Sequence, residues 1–145
     1  MITHAFRNAF RCLAIGGLVA ACTGEAPAAE DSGAPHMRPA ELGASSAVYF
    51  MLRNPGTDTL VLQSVEIDVA GSATLHRSMD HEGMSSMAPV DSVIVPPGDS
   101  VSFAERGLHV MASELHTAVA LGDTIVIRLR FRGVRVDTLR VPVRE

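Results

Sequence analysis

The sequence has only two cysteines in 145 residues, and neither is placed to serve a folded domain. Cys12 lies inside an N-terminal apolar run and Cys22 closes it. Without a further thiol the rest of the chain has no disulfide framework and no thiolate zinc site. A blue-copper electron-transfer centre, which needs a thiolate beside two imidazoles, is excluded as well. The apolar run from Cys12 to Ala21 is far shorter than the ~20 residues of a spanning helix. There is no Gly-x-Ser-x-Gly elbow, no His-Glu-x-x-His and no glycine-rich phosphate loop, so the common hydrolase and nucleotide-binding signatures are missing. Helical 3.6-residue periodicity is weak throughout, and there are no convincing internal repeats. Basic residues are outnumbered, 12 Lys and Arg against 16 Asp and Glu, which argues against a nucleic-acid partner.

What is present begins with the N-terminus. Met1 to Arg11 carries two arginines and no acid, and a short apolar core with small residues follows. This is the anatomy of a secretory signal peptide, residues 1–21. Its end, Leu18-Val19-Ala20-Ala21-Cys22, looks like a bacterial lipobox, with Cys22 as the lipidated first residue of the mature protein. The plainer reading is cleavage near Ala21 with a spare thiol at Cys22. Cleavage there leaves ten basic residues against sixteen acids, a formal charge of −6. Residues 22–39 are rich in Ala, Pro, Gly, Ser and acids and read as a flexible tether. His36 and Met37 fall at its end and read as solvated linker rather than auxiliary ligands.

Residues 40–145 are enough for one domain with its own core. Apolar runs are short and separated by turn residues. Ala47 to Leu52, Leu60 to Val69, Ser92 to Val95 and Val101 to Phe103 read as strands, with Asn54-Pro55-Gly56 and Pro96-Pro97-Gly98-Asp99 as turns. Thr124 to Arg132 alternates most cleanly, Ile125, Ile127, Leu129 and Phe131 against Arg128, Arg130 and Arg132. Val134 to Val143 reads as a final strand. This pattern predicts an all-β sandwich or barrel.

Within that frame His76, Met87, His109 and Met111 stand out. Ten residues separate the first pair, twenty-one the second, and one the third. In a strand His109 and Met111 project to one face and Val110 to the other. For a chain with 6 His and 7 Met the chance of this frame is on the order of one in a thousand. Thioethers bind hard cations poorly and Cu(I) well, and imidazole suits both copper states. Two Met with two His therefore predict a copper site, Cu(I) before Cu(II). The segment Arg77 to Ser86 reads as a loop. Its Met79, His81 and Met84 are candidates for extra contacts or a weaker secondary Cu(II) site; the alternative is gap-filling thioethers and a solvated histidine.

The pattern His-x10-Met-x21-His-x-Met resembles that of the periplasmic copper A chaperones, the PCuAC family. The resemblance rests on Leu75-His76, on Met87-Ala88-Pro89-Val90, and on Val95-Pro96-Pro97-Gly98 followed by Gly107-Leu108-His109-Val110-Met111. It runs from about Ser46 to Val143. It implies a cupredoxin-like Greek-key β-sandwich and a non-enzymatic Cu(I) metallochaperone of the periplasm, anchored through Cys22. The recipient it implies is cytochrome c oxidase, at the copper A centre of subunit II, or another copper chaperone. The family often carries a further Met where Ser113 and Glu114 stand here. The residues alone leave open a copper-sequestering protein and a structural β-sandwich lipoprotein whose His and Met are incidental.

Overall fold

A computed structural model describes residues 33–81 and 84–145, with only the backbone of Asp80 and His81. The signal segment, Cys22 and the tether up to Ser32 lie outside the described residues. Ten strands and no helix make up the described chain: β1 (His36–Met37), β2 (Ser46–Arg53), β3 (Leu60–Ile67), β4 (Ala70–His81), β5 (Met84–Pro89), β6 (Val93–Val95), β7 (Ser100–Phe103), β8 (Leu108–Leu115), β9 (Thr124–Phe131) and β10 (Val136–Pro142).

They form two packed sheets. One has the order β1-β2-β7-β8-β4-β5, with the first half of β2 paired directly to β8 from Ser46 to Val48, and the other has the order β10-β9-β3-β6. Pairing within the sheets is antiparallel except for the β7–β8 bridge at Phe103 and Leu108, and an isolated parallel bridge joins Met37 to Val143. Of the all-β sandwich or barrel expected from alternation, the sandwich is observed, in the cupredoxin-like form that the resemblance implies.

The core is what the alternating residues bury between the sheets. Val48, Phe50 and Leu52 of β2 meet Leu75 of β4 and Leu108, Val110 and Ala112 of β8 on one side. Ile125, Ile127, Leu129 and Phe131 of β9 close it from the other. Each such aliphatic or aromatic side chain contributes about 1.5–3 kcal/mol by leaving water. Phe50 and Phe103, paired across β2 and β7, stack nearly parallel at 4.3 Å between centroids. Among the described residues Asn54 is the most deeply buried of four buried polar ones, with His36, Ser46 and His109, and is fully employed. Its amide donates to the carbonyls of Asp58 and Val95 at 2.8 and 2.9 Å, and its side-chain oxygen accepts from the Gly56 N–H at 3.1 Å.

Two expectations change. Arg77 to Ser86 is not a loop: β4 runs on to His81 and pairs with β5 from Met84, so this segment is a projecting hairpin. Its Ser, Met and charged residues hide the strand because the positions seen on β5 bury little on either face. The tether ends earlier than Pro39. His36 and Met37 pair with Tyr49 and Val48, and both are buried. The Arg144 N–H also donates to the Met37 carbonyl. A two-residue strand is too short to show alternation, and its partners lie far along the chain.

Candidate metal centre

The outer face of the six-stranded sheet, turned away from the core, carries the candidate ligands. The register fixes which residues share it. His76 of β4 sits directly opposite His109 of β8, and Thr74 opposite Met111. On the far side of β4, Ser78 lies opposite Met87 of β5. Directly paired residues face the same way and alternate residues repeat it. His76, His109, Met111 and Met87 therefore project to one face, while Leu75 and Val110 point into the core.

The two imidazoles are in contact. Their centroids are 5.9 Å apart and the rings meet edge to face at 75°. His109 is 4% exposed. Its Nδ1 lies 3.2 Å from the Gly107 carbonyl, which can only accept, so Nδ1 carries the proton and Nε2 keeps its lone pair. The same carbonyl accepts from the Ser78 N–H at 3.0 Å. The turn before β8 thus sets the His109 tautomer and ties β4 to it. Arg106, at φ 60°, holds the left-handed conformation that this turn requires.

His76 is half-buried and incompletely satisfied. Its Nε2 lies 3.1 Å from the Thr74 hydroxyl. Its Nδ1 is buried and has no hydrogen-bond partner among the described residues. Leaving such a group unpaired costs about 1–3 kcal/mol. A bound cation removes that cost, so the donor set fits a metal. Among the described residues no three His, Cys, Asp or Glu side chains gather at one point. The other metal-binding side chains on this face are thioethers, a donor type that suits Cu(I).

Met111 is half-buried beside the pair, one level down the ladder. Met87 is the outlier. It is 58% exposed and sits one level beyond the imidazoles in the opposite direction. Ladder spacings put the Met87 and Met111 backbones about 16 Å apart, further than two thioethers sharing one ion span. The structure thus gathers His76, His109 and Met111 and leaves Met87 on the same face at the edge.

The lower-ranked candidates diverge from this face. Met79 pairs with Ser86 and position 81 with Met84, out of phase with His76 and Met87. Met79 and Met84, both exposed, therefore project from the opposite face of the hairpin. The His81 side chain lies outside the described residues. His116 is exposed.

Two rings that composition did not single out belong to this face. Tyr49 of β2 lies 6.4 Å from His109, and His36 of β1 lies 5.0 Å from Tyr49. His36 is 8% exposed and Tyr49 6%. The only sequence signal for Tyr49 is that it is the sole tyrosine, on the polar phase of its strand.

The comparisons agree with this architecture. The family model of the LpqE-like lipoproteins matches residues 32–143. A relative from Leifsonia xyli subsp. xyli (strain CTCB07), designated lipoprotein Lxx21020, is 26% identical over 101 residues. That alignment covers 69% of this chain, which spans only 61% of the relative's length. Among solved structures, the apo PCuAC domain from PmoF1 superposes with a TM-score of 0.62 at 19% identity, over 76% of this chain and 88% of that one. The copper-bound PCuAC domain from PmoF2 gives 0.61 at 21%, over 75% and 86%. The solution structure of CuI-DR1885 from Deinococcus radiodurans gives 0.59 at 22%, over 76% of each chain. At identities this low the superpositions establish the shared fold alone.

Proposed function

The chain belongs to the LpqE-like lipoprotein family, and from that premise we propose that it binds Cu(I) outside the cytoplasm and passes it to a recipient protein. The observation that carries the reading is the paired His76 and His109, edge to face on one sheet surface, with a buried imidazole nitrogen that has no partner among the described residues. The fold is shared with the copper-bound PCuAC domain from PmoF2 and with CuI-DR1885.

In this reading His76, His109 and Met111 hold the ion and Met87 completes the shell. Met87 reaches it only if the β4–β5 hairpin curls toward β8. Binding and release then share one motion: an inward Met87 closes the shell, and an outward Met87 opens a position for an incoming ligand. An exposed thioether is suited to this because it carries no proton to lose in the ordinary pH range. A shell filled by four protein ligands also lacks the open position of a catalytic metal, so the reading is of a carrier and not an enzyme. A copper carrier of this kind serves a copper A centre, such as that of cytochrome c oxidase subunit II, or another chaperone that loads it. Acylation of Cys22 would hold the domain at a membrane of the cell envelope and raise its effective concentration near membrane recipients.

The test is anaerobic transfer. Cu(I)-loaded protein is mixed with an apo copper A domain, and the recipient's copper content is measured after separation. Movement of the metal supports delivery. Tight retention against every such recipient, together with copper-sensitive growth of a deletion strain, supports sequestration instead.

A further inference from the structure

Four rings lie side by side across four neighbouring strands of the outer face: His36 of β1, Tyr49 of β2, His109 of β8 and His76 of β4. Successive centroids are 5.0, 6.4 and 5.9 Å apart. The three rings from His36 to His109 are almost wholly buried, although this face has no second sheet over it. The far end of the row is pinned by the segment after β10. The Arg144 guanidinium Nη2 lies 3.3 Å from His36 Nδ1 and donates to the Ala34 carbonyl at 3.1 Å. Beside it, Met37 bridges to Val143.

We propose that Tyr49, backed by His36, is a positioning residue for the copper site, and that docking of β1 and binding of Cu(I) are coupled. This rests on the Cu(I) reading above. The physical argument is packing. The contact to Gly107 holds His109 at Nδ1, and a ring held at that nitrogen alone could still swing about it. Tyr49 closes the side of His109 away from His76, and ring pairs within about 7 Å attract. The row therefore holds the Nε2 lone pair of His109 in place. His36 closes the far side of Tyr49, and the chain just before it leads toward the tether. Removing groups that orient a metal-bound histidine costs about 10–100-fold in affinity. Coupling is reciprocal, so bound copper must strengthen the docking of β1 by the same factor.

The experiment uses the full mature chain and the variants Tyr49→Phe, Tyr49→Leu and His36→Leu. Cu(I) affinity is measured by anaerobic competition with a chromophoric chelator. The apo proteins are examined by nitrogen-15 NMR for the His109 tautomer, and thermal melts check folding. Exchange of the Arg38 amide, which donates to the Ala47 carbonyl at 3.2 Å beside β1, is followed with and without copper. The expected result is a 10–100-fold loss for Tyr49→Leu and His36→Leu and a smaller loss for Tyr49→Phe, which keeps the ring. The Nδ1–H tautomer of His109 should be less populated in the two leucine variants. Arg38 exchange should slow by a similar factor on loading the wild type. Unchanged affinity and an unchanged His109 spectrum in folded leucine variants overturn the proposal. If Tyr49→Leu does not fold, His36→Leu decides. A wild type that binds no Cu(I) overturns the functional reading and the copper coupling, while the apo spectra still decide whether Tyr49 positions His109.

Discussion

Replacing His76 with leucine should stabilise the apo protein and abolish its copper site. His76 Nδ1 is buried without a partner, an arrangement that costs about 1–3 kcal/mol. Leucine fills a similar volume and brings no polar atom. The substitution also removes the contact to the Thr74 hydroxyl, worth about 0.5–1.5 kcal/mol, but Thr74 is exposed and water takes the place of the imidazole. The net gain is about 1 kcal/mol, or roughly 3–5 °C in Tm for a domain of this size. Copper reverses the order. At a free Cu(I) concentration about a thousand times Kd, the wild type gains about 4 kcal/mol by mass action, and His76→Leu gains nothing. Calorimetry of both proteins, anaerobically, with and without Cu(I), gives all four melts. An apo His76→Leu protein that melts several degrees below the wild type would refute the reasoning, because the imidazole would then be a satisfied structural group.

Three further outcomes follow from the same geometry. Met87→Ala removes an exposed side chain, so the apo melt should move by less than about 0.5 kcal/mol, while chelator competition should show at least a tenfold weaker Cu(I) complex. Met79→Leu with Met84→Leu should leave the stoichiometry and affinity of the main site unchanged, since both residues leave the hairpin on its other face; loss of the bound equivalent in that double variant would contradict the register argument. Asn54→Ala strands the buried Val95 carbonyl and leaves the Asp58 carbonyl and Gly56 N–H, both on exposed residues, to water, and urea unfolding should show a loss of about 1–3 kcal/mol, the cost of one unpaired buried group.

The large strands were legible because their apolar phase is strict: β9 reads Ile, Ile, Leu, Phe inward and Arg outward, and it folds that way. The shared face of His109 and Met111 was legible for the same reason. The hairpin was not, because the exposed Ser and Met of β5 alternate nothing that burial rewards. β1 was hidden by its length and by partners more than ten and a hundred residues away. The direct pairing of His76 with His109 depends on the β4–β8 register, which no local pattern encodes. Tyr49 has no chemistry of its own that marks a metal site, and only its place between two histidines gives it one.

The most direct test is anaerobic Cu(I) titration of the mature chain beside a variant with His109 and Met111 both replaced by alanine, followed by X-ray absorption on the loaded protein. The prediction is one equivalent bound through mixed nitrogen and sulfur ligands, and none retained by the variant under the same chelator competition. Equal retention by both proteins, or a copper shell without sulfur, would contradict the assignment of this face as the copper site.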